Sequence, residues 1–270
     1  MRFVKVEATG NDFLVRVVPG VGEALPVATV VALCDRHRGV GADGVITIGA
    51  GGEGADCTML LQNADGGTAE ISGNGARALA LVAASAGIGS ADQLVVDAGS
   101  GRREISLGRD ADGEVVSAEV DMGVVTLGPV DLAVAVGGET HRGDVASVGN
   151  PHFVCFVSDP EAIDLAVVGP AIEHAAEFPD RTNVHFVRVE DDGRLRMRIW
   201  ERGAGVTLSC GSGACAAAAA ARARGLVGDR VTVCVPGGEL TVTLGATARL
   251  AGPVAAVFEA DIDLDRLGAR

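Results

Sequence analysis

The chain has 270 residues, 48% of them apolar, and carries 22 Lys and Arg against 36 Asp and Glu, a formal net charge of −14. That length suits two domains, each able to bury a core, and the apolar fraction with dispersed charge excludes a disordered polymer. The acidic balance, with no basic stripe, argues against nucleic acid or anionic membrane as partner, so an anionic ligand must be held by local donors.

The opening residues, "MRFVKVEATGNDFLVRVV", contain no apolar core followed by a small-residue cleavage site. No secretory signal is therefore expected, and the protein is expected to be cytoplasmic. β-type runs bounded by Gly, Asp and Asn follow at Phe13–Val18, Gly44–Gly49, Thr58–Asn63, Gln93–Ala98, Arg103–Leu107 and Val115–Val120. "PVATVVALCDRHRG" (26–39) reads as an amphipathic helix and "IGAGGEGAD" (48–56) as a solvent loop. "ARALALVAASAG" (76–87) has too little polar surface to lie on an exterior and reads as an enclosed helix. "VGGETHRGD" (136–144) reads as a second solvent loop. Strands are then expected at His152–Val157, Asn183–Val189, Arg196–Trp200, Arg230–Val235, Glu239–Leu244 and Val254–Ala260, around a second enclosed helix, "ACAAAAAARARG" (214–225). Its soft run, Ala214 to Ala221, is too short for a membrane span.

The chain is similar to itself. Cys210 follows Ser72 by 138 residues, and at that offset Met59–Asn63 lies over Met197–Glu201, Gly73-Asn-Gly-Ala over Gly211-Ser-Gly-Ala, and Gly87 over Gly225. With one residue of slippage "GNDFLV" also matches "GNPHFV". Such a period marks duplicated units. The fold expected is α+β: two pseudo-symmetric domains, 1–130 and 131–270, each a curved, mostly antiparallel sheet around a central helix. A return of the chain end to the first half is left open.

Each Gly-x-Gly opens a helix, where unpaired N–H groups and the positive end of the macrodipole make an anion site that glycine leaves accessible. Two such ends facing a domain cleft could grip one carboxylate. Ser72 and Cys210 fall at the N-cap positions. A thiol at a helix end is expected to be shifted toward thiolate, so Cys210 should alkylate faster than the other five cysteines. Cys34, Cys57, Cys155 and Cys234 read as small buried hydrophobes, and no paired Cys-x-x-Cys suggests a disulfide framework or zinc site.

The motifs "GNDF" (10–13), "RGVGADG" (38–44), "NADG" (63–66), "GNGAR" (73–77), "GNPH" (149–152), "TNV" (182–184), "ERGAG" (201–205) and "CGSGACAA" (210–217) occur in that order. In this combination the chain resembles the diaminopimelate epimerases over essentially its full length. The resemblance implies two similar barrel-like domains and a cofactor-free, metal-free inversion of an amino acid α-carbon by two acid–base groups. On that similarity Cys210 acts on one face, with His152 and Glu201 beside it. Gly73, Asn74, Gly75, Gly211 and Ser212 receive the α-carboxylate through backbone N–H groups, assisted by Asn11. Asn63, Asn150, Asn183, Glu201 and Arg202 read the distal end of diaminopimelate, and, since the family is often dimeric, the second partner would be another copy. Two positions depart from the pattern. Ser72 stands where the family has its first catalytic Cys, and Val206 where it commonly has Glu. An unassisted hydroxyl is a poor acid–base group, so inversion is expected to be slow. The alternatives are a one-base proton-shift isomerase or dehydratase of the same fold, and a silent amino acid-binding module.

Overall fold

The computed structural model describes residues 1–69, 72–99 and 101–267. The chain forms two compact units, Met1–Val120 with Gly252–Arg270, and Asp121–Ala251.

In the first unit β1 (Arg2–Ala8) and β2 (Asn11–Val17) make a hairpin. Its two loop residues, Thr9 and Gly10, have φ of 53° and 81°, the consecutive positive values that match a turn to the strand twist. α1 (Val27–Cys34) leads to β3 (Gly44–Ala50), parallel to β2, and β4 (Cys57–Asn63) returns antiparallel. After the short β5 (Thr68–Ala69) comes α2 (Gly73–Ser85), which connects to β6 (Gln93–Ala98), parallel to β4. β7 (Gly101–Arg109) and β8 (Val115–Gly123) extend the antiparallel run. A last strand, Ala255–Asp261, pairs antiparallel with β1. Sequence order groups this strand with the second half; its pairing places it in the first unit. α1 is shorter than the 26–39 expected, because Asp35 Oδ1 accepts the N–H groups of His37 and Arg38, each at 2.8 Å, and turns the chain away.

The second unit runs β9 (Thr126–Leu127), β10 (Leu132–Val136), β11 (Glu139–Ser147), β12 (Pro151–Phe156), α3 (Leu165–Glu173), β13 (Asn183–Val189), β14 (Leu195–Glu201), β15 (Gly205–Val206), α4 (Gly211–Ala223), β16 (Arg230–Val235), β17 (Gly238–Leu244) and β18 (Ala248–Pro253). Its pairing repeats that of the first unit. β12 and β13 are parallel across α3, β14 is antiparallel to β13, β16 is parallel to β14 across α4, and β17 and β18 follow antiparallel. The expected loop at 136–144 is a correction: only Gly137 and Gly138 turn, and Glu139 already pairs with Val136. The polar residues Glu139, Thr140 and Arg142 lie on the exposed half of β11. The loop expected at 48–56 likewise begins only after Ala50.

Both enclosed helices are present, each of 13 residues. In α2 every residue from Gly73 to Ala83 is buried; in α4 every residue from Gly213 to Ala221 is. α2 packs on β1, β2, β3, β4 and β7, and α4 on β11, β12, β13, β14, β16 and β17. Both end on the same device. Gly87 N–H reaches Ala84 O at 3.0 Å and Ile88 N–H reaches Ala83 O at 2.9 Å, while Gly225 and Leu226 bond to Arg222 and Ala221 at 2.9 and 3.0 Å. This double bond satisfies the last carbonyls and needs a left-handed residue, supplied by Gly87 and Gly225 at φ 72° and 71°.

Candidate active site

Cys210 is the N-cap of α4, extended at φ −138° and ψ 106°, and only 5% exposed. A Cβ on Gly213 would stand 2.4 Å from the His185 ring and 3.1 Å from Cys210 Sγ, so glycine lets both lie against the first turn. Cys210 Sγ is 3.7 Å from Ser212 Oγ. Burial pushes the thiol well above its ordinary range and the Glu201 carboxylate pushes the same way, against the Gly213 N–H and the Ser212 hydroxyl. The expected resting thiolate is therefore corrected: dehydration of the sulfur outweighs the helix end, and Cys210 rests as a thiol. Preferential alkylation at neutral pH no longer follows. Glu201, at the end of β14, accepts from Thr207 Oγ1 at 2.6 Å, which holds a proton acceptor beside that thiol. The neighbouring Val206 is 52% exposed and lines a groove of about 330 Å³ with Leu165, Met197, Ile199 and Leu208.

His152, on β12, is fully buried. Its Nδ1 lies 2.9 Å from His185 Nε2 and its Nε2 2.9 Å from Asn150 Oδ1. Burial, then the neighbouring His185 and Arg202, hold His152 well below the ordinary histidine range, and burial holds His185 at about 3, so both rings are neutral at pH 7. The sequence reading passed over His185; its available signal was alternation, since it lies two residues from Asn183 on the same face of β13.

Asn150 Nδ2 donates to Ser212 Oγ at 3.4 Å, which joins the "GNPH" turn to α4. Asn183 is engaged at both ends: Nδ2 donates to Pro151 O at 2.8 Å and Oδ1 accepts the Arg202 N–H at 3.0 Å. In this structure it holds the "ERGAG" turn, and one Nδ2 hydrogen and one Oδ1 lone pair stay uncommitted by these two bonds. Arg202 itself is exposed, with Nη1 on Asp180 O at 3.1 Å. Glu173, a second residue the sequence reading missed, is a buried carboxylate that accepts from Trp200 Nε1 at 2.7 Å and from the Gly203 N–H at 3.0 Å, pinning the same turn.

In the first unit Ser72 caps α2, its Oγ accepting the Gly75 N–H at 3.1 Å. Gly75, expected to offer its N–H to a ligand, is thus already engaged. Asn74 is buried, with Oδ1 accepting from Arg77 Nη2 at 3.0 Å and Nδ2 donating to Asn11 Oδ1 at 3.2 Å. Asn11 in turn donates to Asp43 Oδ2 at 2.5 Å. Asn63 ends β4 on the surface. Arg77, to which the sequence reading gave no role, is fully buried, donates also to Thr9 Oγ1 at 3.0 Å and Pro253 O at 3.3 Å, and leaves Nη1 without a partner among the described residues. Burial lowers it to about 10, opposed by Glu7, so it stays a cation bonded to the first turn of α2 and adds to the positive end of the helix.

Of the six cysteines, Cys34, Cys57 and Cys155 are buried as expected, but Cys234 is half-buried, its Sγ 3.7 Å from Glu239 Oε1. Among the described residues no helix is long and apolar enough to cross a membrane.

A family model for diaminopimelate epimerase matches residues 3–128 and 145–254. The chain belongs to the diaminopimelate epimerase family. It is 42% identical over 283 residues to the diaminopimelate epimerase of Thermobifida fusca, covering 99% of this chain and 100% of that one. The diaminopimelate epimerase of Parabacteroides distasonis is 39% identical over 242 residues, 90% of this chain and 89% of its own. Among solved structures, a probable proline racemase from Agrobacterium radiobacter superposes with a TM-score of 0.78 at 16% identity, covering 98% of this chain and 93% of its own. A hydroxyproline epimerase from Agrobacterium vitis does so with 0.76 at 18%, covering 100% and 97%. At that identity these structures establish the fold alone, a two-domain, mostly β arrangement of the diaminopimelate epimerase type.

Proposed function

We propose that this member of the family converts LL-2,6-diaminopimelate to the meso form by proton removal and return at one α-carbon, without a cofactor, in lysine and cell-wall precursor synthesis. The observation that carries the reading is the Cys210 thiol at the start of α4 with the Glu201 carboxylate at its sulfur. The N–H groups of Gly211 and Ser212, at the start of α4, are assigned to the substrate α-carboxylate, and the family resemblance assigns those of Gly73 and Asn74 the same part. Cys210 passes its proton to Glu201, the thiolate so formed takes the α-proton, and the carbanion is reprotonated from the other face. His152 and Asn150 orient the sulfur's partner Ser212. Arg202, exposed on the "ERGAG" turn, is assigned to the distal carboxylate.

Ser72 occupies the place of the second acid. Its hydroxyl is a far weaker acid than a thiol and is already the cap of α2. Exchange at the Cys210 face should therefore outrun inversion. The test is incubation with LL-diaminopimelate in D2O, with α-deuteration and meso product followed separately, repeated on Ser72→Cys. Expected is deuteration in excess of meso product for the protein as it is, and inversion at least about tenfold faster in the Cys variant, within the usual worth of a positioned acid. A Ser72→Cys protein that still fails to turn over diaminopimelate favours a one-base isomerase or dehydratase. Failure of diaminopimelate to bind or to raise the melting temperature removes the substrate assignment.

A further inference from the structure

We propose that His185 is a positioning residue that sets the direction of a hydrogen-bonded chain ending on the Cys210 sulfur. The chain lies wholly in the second unit: His185 Nε2 to His152 Nδ1 at 2.9 Å, His152 Nε2 to Asn150 Oδ1 at 2.9 Å, Asn150 Nδ2 to Ser212 Oγ at 3.4 Å, and Ser212 Oγ to Cys210 Sγ at 3.7 Å. Both rings are fully buried, and His185 Nδ1 has no partner among the described residues.

A neutral imidazole carries one N–H and one lone pair, so the chain from His185 to Ser212 has two self-consistent directions, and with the Cys210 S–H given to the Glu201 carboxylate the Ser212 hydroxyl is free to donate to the sulfur only in the first. In the first, His185 Nε2–H donates to His152 Nδ1, His152 Nε2–H to Asn150 Oδ1, the Asn150 amide to Ser212, and the Ser212 hydroxyl to the sulfur. Every bond reverses in the second, the Asn150 amide turns over, and the Ser212 hydroxyl points away from Cys210. The difference at the far end decides between them. The first leaves a lone pair unmatched at His185 Nδ1, whereas the second buries an N–H with no acceptor, an arrangement native interiors almost never tolerate. His185 therefore fixes His152 as the Nε2–H tautomer and aims a hydroxyl at the sulfur, where it stabilises the thiolate. Gly213 is part of the device, since any Cβ there would displace the His185 ring. The inference rests on the reading of Cys210 as the proton-transferring group, but its first observable needs no substrate.

The test is a long-range proton–nitrogen correlation spectrum of histidine-labelled protein at neutral pH, with the rate of Cys210 alkylation read by mass spectrometry. Expected is the Nε2–H tautomer at both His152 and His185. His185→Gln, whose amide can still donate to His152 Nδ1, keeps the His152 tautomer and the alkylation rate. His185→Leu loses the tautomer preference and slows alkylation about tenfold, the scale of one hydrogen bond lost from a charged acceptor. An Nδ1–H tautomer at His152 in the unaltered protein overturns the proposal. So does a Leu variant of native circular dichroism with tautomer and alkylation unchanged. If the Leu variant does not fold, the spectrum of the unaltered protein and the Gln variant decide. Absence of turnover on diaminopimelate would count against the proposed function and leave these readouts standing.

Discussion

The Ser72 hydroxyl caps α2, and the second, catalytic duty given to it in the proposed function pulls against the first. As acceptor for the Gly75 N–H it stabilises the start of α2, and replacing such a cap by Ala costs about 1 kcal/mol. Ser72→Ala should therefore lower the urea midpoint accordingly, and Ser72→Cys should lose part of the same stability while gaining inversion, because a thiol is a weak acceptor. Gly213 shows the opposite constraint. With the His185 ring 2.4 Å from the position of a Cβ, Gly213→Ala overpacks a fully buried site, and about 1–3 kcal/mol of destabilisation is expected in denaturant unfolding. Residues at the helix starts were readable because Gly-x-Gly before an apolar run has few other uses. What a neighbouring strand contributes was not. His185 and Glu173 matter through partners 33 and 27 residues away, and the protonation of Cys210 turns on its 5% exposure, a quantity set by tertiary packing.

At the level of elements, α2 and α4 follow directly from composition: a helix with no polar face has to be surrounded, and alanine lets strands approach it closely. Ala218 of α4 is fully buried. Ala218→Leu inserts a branched side chain where strands already touch the helix, so a loss of about 1–3 kcal/mol is expected, measured by thermal or urea unfolding. The strands that alternate or carry β-branched runs were legible for the same reason. Two of those that were missed, β1 and β11, are interrupted by charged and polar residues. β1 alternates Lys and Glu with apolar residues next to the chain start, and β11 begins with Glu139-Thr140-His141-Arg142, polar because that half faces solvent. α1 ends early through a side-chain turn at Asp35, an event of two hydrogen bonds that no apolar pattern announces.

For the whole molecule, the two neutral buried histidines predict how stability responds to acid. His185 has its folded value depressed to about 3, so its contribution is complete above the unfolded value near 6.5 and is lost as pH falls toward 3; His152 shifts in the same direction. Urea unfolding at pH 7 and pH 5 should differ by about 2 kcal/mol on account of His185, with His152 adding in the same direction. His185→Leu should remove one share. Asp12 acts in a separate window. Burial raises it, but its bonds to Arg36 and Lys5 prevail and bring it to about 2, so its contribution fades only below about pH 4.

The pairing of β1 with Ala255–Asp261 has a temporal consequence. The second unit is one continuous span, Asp121–Ala251, whereas the first unit draws on both sides of that span. On a ribosome, the inner unit can finish folding while its elder neighbour still presents β1 as an unsatisfied strand edge, so maturation proceeds from the middle of the gene outward. Until the closing strand emerges, that edge is where a nascent polypeptide of this kind is open to chaperones or to mispairing.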